Sequence, residues 1–259
     1  MFIHVIPTDE IDLHSKDIFC ICKPNIFADV EIIIIHTPFF SENYSKAELL
    51  DWVTNVKNNF IKLTINKDIF FKEYKKNFNG ILNKSIEGLS NLIELCNSKK
   101  PFDNVKHLAY FFATIKHETA LSFKPIREFG NANYFIKRYF INPIQRRWLN
   151  NKSSSDAIKY CGRGYAMITG RGNYERFAKY LNIDIINKPE LCLTAEVAFD
   201  ILVYGFKNGA FAQGHNIDYY INENKCNYLD ARKIINGTDK KNLVAKYATK
   251  FEIILKNSI

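Results

Sequence analysis

The chain has 259 residues, of which 47% are hydrophobic and 24% charged, enough apolar material for one large domain or one domain with an appendage. The net charge of +9 implies an anionic partner or setting: nucleic acid, acidic lipid or bacterial cell wall. The basic residues are spread along the chain rather than gathered in a tail, so a lysine-rich solvated surface is the simpler account, and no motif supports nucleic-acid binding.

Residues 1–62 contain short β-like runs, "FIHVI", "IFCIC" and "VEIIIIHT", broken by Pro7, Pro24 and Pro38. The segment "SKAELLDWVTNVKNNF" follows, with Ser45 as a candidate N-cap, and the whole is expected to be a small α/β appendage of unreadable function. The run "EIIIIHTPFF" is far short of the roughly 20 apolar residues of a membrane span, so stable membrane insertion is not expected. "MFIHVIPTDEIDL" lacks the charged and apolar regions of a secretory signal, so work at a wall, in the periplasm or outside the cell would require delivery by another route, with a delivery or immunity partner. Of the six cysteines, Cys20 and Cys22 form a CxC without a second pair or a histidine cluster. All six (with Cys96, Cys161, Cys192 and Cys226) are expected to be mostly free, buried thiols rather than zinc ligands.

From Leu63 to the C-terminus the period is helical. "DIFFKEYKKNF" places apolar residues at 69, 70, 71, 74 and 78, and "IEGLSNLIEL" at 86, 89, 92, 93 and 95. "PFDNVKHLAYFFATIKHE" follows with Asp103 as its expected N-cap. Later helices are expected over "GNYERFAKYLN", "TAEVAFDILVYGFKNG" with a stop at Gly209, "YLDARKIING" with a stop at Gly237, and "KNLVAKYATKFEIILK". Between them, residues 122–171 show no strong period, and long irregular segments in compact helical domains are usually functional.

The chemistry centres on "KHETALSFKPIREFG". Leu108, Phe111, Ile115 and Glu118 are spaced three, four and three apart, so the glutamate shares the apolar stripe at the helix's C-terminal end. Partial desolvation and the negative end of the helix dipole both favour its protonated form, the form a general acid needs. A salt-bridged glutamate at a helix end is the alternative. "HETAL" begins like the zinc-peptidase helix motif, but its fifth residue is Leu121 rather than histidine, and that reading fails. Glu128 supplies a second carboxylate; an acid and a base about 6.5–9.5 Å apart would admit a water between them. A surface glutamate beside Arg127 is the plainer reading. In "YCGRGYAMITGRGNYERF" the glycines flanking Arg163 point to close backbone approach, and neither phosphate-binding glycine pattern fits. Thr169 and Asn173, four apart, could bind a sugar hydroxyl or acetamido group, or cap the helix that follows.

Taken in order, "LAYFFATIKHETA", "FKPIREFG", "YCGRGYAMITGRGNYERFAKYL", "NKPELCLTAEVAFDILVYGFKNGAF" and "DARKIING" resemble the family 19 glycoside hydrolases, chitinases and related bacterial and phage wall-lytic enzymes. The resemblance covers about residues 63–255. It implies a mainly α, lysozyme-like, two-lobed catalytic domain at 63–259 behind the appendage at 1–62. It further implies Glu118 as general acid, Glu128 as general base, Thr169 holding the water, Asn173 and Asn236 binding substrate, and His117 lining the cleft. Met167 stands where many members have glutamine, removing one hydrogen bond to substrate. The implied activity is inverting hydrolysis of β-1,4 bonds in an N-acetylglucosamine polymer, without metal or organic cofactor. Peptidoglycan is favoured over chitin because the chain is compact and basic. A chitinase proper, or a sugar-binding or inhibitory protein on the same scaffold, is the alternative.

Overall fold

The structure is a computed structural model and describes residues 2–6, 32–36, 63–212 and 214–259. The chain divides into two compact units, Met1–Asn58 and Asn59–Ile259. In the first, β1 (Phe2–Ile6) and β2 (Ile32–His36) pair antiparallel, with Phe2 opposite His36 and Ile6 opposite Ile32. "IFCIC", with Cys20 and Cys22, and the helix expected after Ser45 lie outside the described residues.

The second unit is mainly helical. α1 (Lys67–Asn77), α2 (Asn83–Lys99) and α3 (Val105–Glu118) follow one another, and α10 (Lys241–Ser258) packs back along α3 and α1. α3 is the central element. Every residue from His107 to Lys116 is buried, so the helix is enclosed all round rather than on one stripe. Phe70, Leu89, Leu92, Phe111, Phe112, Phe199, Phe251 and Leu255 complete the core around it. Ile69 and Ile86, counted on apolar faces in the sequence, are exposed. The N-cap of α3 is Asn104 and not Asp103: the Asn104 side chain accepts a hydrogen bond from the Lys106 N–H at 2.8 Å, satisfying a helix-end donor that Asp103 stands one residue too early to reach.

The segment without a strong period carries regular structure. The β3–β4 pairing (Ile126–Arg127 with Arg163–Gly164) clasps its ends. Between the strands lie α4 (Ala132–Ile136), a π-turn (Lys137–Ile141), α5 (Pro143–Trp148) and α6 (Ser154–Lys159), around a small core of Phe135, Tyr139, Leu149, Ala157 and Cys161. These helices are five or six residues long, too short for a 3.6-residue period to register in the sequence. α7 (Arg171–Leu181) and α8 (Ala195–Asn208) follow, and Gly209 ends α8 at φ +62° as expected. α9 (Ile217–Tyr220) leads into the short β5–β6 pair (Ile221–Asn222 with Lys225–Cys226). "YLDARKIING" forms only a 3₁₀ turn, Asp230–Ile234, instead of a helix running to Gly237. Ala231, Arg232 and Ile234 are all buried there. Cys96, Cys161 and Cys192 are buried free thiols, and Cys226 is a free but exposed one.

Candidate active site

Glu118 closes α3 with a side chain that is 15% exposed, and its Oε1 receives a 2.6 Å hydrogen bond from Arg232 Nη1. Arg232 is itself only 1% exposed. Its Nε donates to the Asp239 carbonyl at 2.8 Å, and its Nη2 is buried without a partner among the described residues. Of the two arrangements weighed for Glu118 in the sequence, the structure shows the salt-bridged glutamate at a helix end: the carboxylate has a buried guanidinium against it. Arg232 lay unread inside "DARKIING", because no local pattern shows that a 3₁₀ turn 114 residues away will aim its side chain at the end of α3.

The turn after Glu118 is held hard. Ala120, Leu121 and Phe123 all have positive φ (48°, 71° and 55°), a costly conformation for residues other than glycine. α2 supplies the restraint. Ser85 Oγ donates to the Leu121 carbonyl at 2.6 Å, Lys84 Nζ donates to that of Ala120 at 2.8 Å, and a Cβ on Gly88 would stand 2.3 Å from the Ser122 oxygen. Thr119 Oγ1 donates to the Ile115 carbonyl and accepts from the Phe123 N–H, stitching the turn to α3. The backbone around Glu118 is thus fixed by packing rather than by propensity.

His117 is half-buried beside Glu118. Burial pushes its pKa down, Glu118 opposes that shift, and the Arg232 guanidinium adds to it, with Asp239 and Lys240 acting weakly in opposite senses. Asn236 is exposed and belongs to the same turn: its N–H donates to the Arg232 carbonyl at 3.0 Å, and its carbonyl accepts from Asp239 N–H. His117, Glu118 and Asn236 therefore share one neighbourhood organised by Arg232.

Glu128 follows β3 and belongs to a second neighbourhood. Its N–H donates to the Gly162 carbonyl at 2.7 Å, continuing the β3–β4 pairing. Its Oε1 accepts from the Tyr139 hydroxyl at 2.6 Å and the Tyr134 hydroxyl at 3.3 Å, and its Oε2 from the Gly162 N–H at 3.1 Å. It is not a loosely solvated glutamate beside Arg127. Burial and the adjacent carboxylate together push the Tyr139 phenol pKa upward, keeping that hydroxyl a donor. Both tyrosines fall in the stretch without a strong period, and the sequence carried no signal for them.

Met167 borders the same carboxylate. A Cβ on Gly162 would stand 3.1 Å from the Met167 methyl and 3.2 Å from Glu128 Oε2, so the glycine lets both side chains pack closely on its backbone. Met167 itself sits at φ +53° in the turn closed by reciprocal backbone bonds between Arg163 and Ile168. Thr169 Oγ1 donates to the Met167 carbonyl at 2.9 Å, and Asn173 Nδ2 donates to the Thr169 carbonyl at 2.8 Å. Asn173 is thus a residue of the first turn of α7 reaching back, while Gly170 holds the N-cap position. Arg163, between the glycines, is buried and points away into a mesh of the Lys159 and Cys161 carbonyls, Tyr174 and Glu190.

The structure thus gathers the seven candidates into two groups: His117, Glu118 and Asn236, and Glu128, Met167, Thr169 and Asn173. No hydrogen bond among the described residues joins the groups directly. Their common support is the core, in which Tyr165 of the Gly-Arg-Gly loop is buried with Leu108, Phe111 and Ile115 of α3. Among the described residues, no group of three or more His, Cys, Asp or Glu side chains could hold a metal ion.

No protein-family model matches the chain, and no curated protein matches it. Among solved structures it is similar to chitinase C from Streptomyces griseus, at 17% identity, covering 73% of this chain and 76% of that one, with a TM-score of 0.48. A mutant of chitinase C is similar at 15% identity over the same shares of each chain, with a TM-score of 0.46.

Proposed function

We propose that this protein is an inverting glycosidase that hydrolyses β-1,4 bonds in an N-acetylglucosamine-containing polymer, with peptidoglycan favoured over chitin. The observation that carries the reading is the contrasting support of two half-buried carboxylates that the family resemblance had singled out. Glu118 is clasped on one oxygen by Arg232, leaving Oε2 without a partner among the described residues and free to carry a proton to the leaving glycosidic oxygen. Glu128 accepts two hydroxyls and a backbone N–H, an arrangement that orients a carboxylate as general base toward a water. The Thr169 hydroxyl donates its hydrogen bond to the Met167 carbonyl, so the lone pairs of its oxygen are left as acceptors that can hold that water. Attack at the anomeric carbon, proton transfer from water to Glu128 and from Glu118 to the departing sugar oxygen together give one inverted product. His117, Asn173 and Asn236 would contact the polymer, and Met167 would offer an apolar surface where an amide is usual. The basic surface suits an anionic wall.

A second reading, a sugar-binding protein without turnover, is favoured by the Arg232 clasp on the proposed acid and by Met167. Side-by-side digestion of peptidoglycan and chitin, with mass analysis of products and anomeric NMR, decides between them. Wild type is expected to release inverted products, and Glu118→Gln to release none. Retained configuration would overturn the water-attack mechanism, and tight polymer binding without cleavage would establish the second reading.

A further inference from the structure

α5 is anomalous in a helical protein: none of its residues is buried, yet it carries Ile144 and Trp148. Every residue from Ile141 to Trp148 is exposed, with Ile141 at 67%, Ile144 at 76% and Trp148 at 86%. Ile144 and Trp148 are four apart and share a helix face. Beside them opens a cavity of about 530 Å³, whose lining includes Ile144, Arg146, Arg147 and Lys152. Among the described residues, none of these three cations forms an ion pair. The chain has no acidic residue between Glu128 and Asp156. Asp156 and Glu175, which accept hydrogen bonds from the Lys152 N–H and the Asn150 side chain, are both matched by Arg171.

We propose that this face docks the protein on a bilayer surface rich in anionic phospholipid, with Ile141, Ile144 and Trp148 entering the headgroup boundary and Arg146, Arg147 and Lys152 meeting lipid phosphates. Exposed aliphatic and indole side chains flanked by uncompensated cations are the composition of an interfacial helix, which lies on a membrane and does not cross it. A saccharide fits less well. Trp148 offers a sugar ring a flat face, but it does not line the cavity, the isoleucines beside it offer none, and the cavity's asparagines are already committed: Asn150 to Lys152 and Glu175, and Asn151 to the Tyr139 carbonyl and the Arg171 N–H. No helix among the described residues is long and apolar enough to cross a membrane, so the contact would be peripheral. The proposal is independent of the glycosidase reading.

The test is co-sedimentation of the full chain with phosphatidylcholine vesicles, with and without phosphatidylglycerol, at low and physiological salt. Wild type is expected to bind only the anionic vesicles, and more weakly as salt rises. Ile144→Ser with Trp148→Ser should weaken binding about tenfold or more, and each of Arg146→Gln and Arg147→Gln about fivefold. None of these side chains is buried, so unchanged thermal unfolding will certify the fold. No binding to anionic vesicles, equal binding to neutral ones, or full binding by the Ile144/Trp148 double variant would each overturn the proposal. Loss of binding to isolated peptidoglycan in that double variant, with vesicle binding intact, would overturn it in favour of a wall contact.

Discussion

Replacing Arg232 by methionine tests the electrostatic account of the Glu118 site most directly. An exposed ion pair contributes below about 1 kcal/mol, whereas breaking a buried pair costs about 3–5 kcal/mol because one charge stays behind without a partner. The exposures decide which regime applies: 1% for Arg232 and 15% for Glu118 place the pair near the buried limit. Arg232→Met should therefore cost about 3 kcal/mol, at the low end because Glu118 keeps some access to water and methionine refills much of the volume. Glu118→Gln should cost less, about 1–2 kcal/mol, since an amide oxygen still accepts the Arg232 N–H. The double variant removes both charges, so its loss should fall short of the two single losses together by about 1.5–2 kcal/mol. Urea denaturation of all four proteins at neutral pH, with unchanged slopes, measures that coupling. A coupling below about 0.5 kcal/mol would refute the clasp and return Glu118 to the status of a solvated helix-end carboxylate.

Lys116 gives a pH prediction. It is buried against the rings of Phe78, Tyr74, Tyr247 and Phe123, with its Nζ on the Tyr74 hydroxyl, and desolvation, aided by Lys250, lowers its pKa from 10.5 to about 8. Because the folded form binds this proton less tightly than the unfolded form, the charge costs stability below pH 8 and that cost disappears as pH rises toward 10.5. After discounting for solvent screening and for the cation–π attraction of the rings, Lys116→Met should stabilise by about 1–2 kcal/mol at pH 7. The gain over wild type should vanish near pH 10.5, and a variant less stable than wild type at pH 7 would show the aromatic cage to outweigh desolvation. Gly88→Ala should lower stability by about 1–3 kcal/mol in thermal unfolding, since its methyl would stand 2.3 Å from the Ser122 oxygen; a neutral result would mean that α2 does not restrain the turn after Glu118. Tyr139→Phe deletes the shorter of the two hydroxyl bonds to Glu128 and should slow the proposed sugar hydrolysis about tenfold with little change in thermal stability. An unchanged rate would remove Tyr139 from the support of the proposed base.

Much of the helical frame was legible before any coordinates, because α1, α2, α3, α8 and α10 are 11 to 18 residues long and carry enough turns for a period to show. The glycine stop of α8 was legible for a local reason, since left-handed backbone is cheap only for such residues. The placing of Glu118 at the buried end of α3 likewise follows from spacing along one helix. Its partner did not: Arg232 arrives from a 3₁₀ turn 114 residues away, and only the packing of the whole core sets that distance. The same holds for Tyr134 and Tyr139 on Glu128, delivered by helices too short to announce themselves, and for the strained turn after Glu118, which α2 enforces against local preference. Local periodicity and capping are properties of neighbouring residues and can be read along the chain. Charge pairing, strain and the exposed face of α5 depend on what the rest of the chain brings alongside, and were decided by tertiary structure alone.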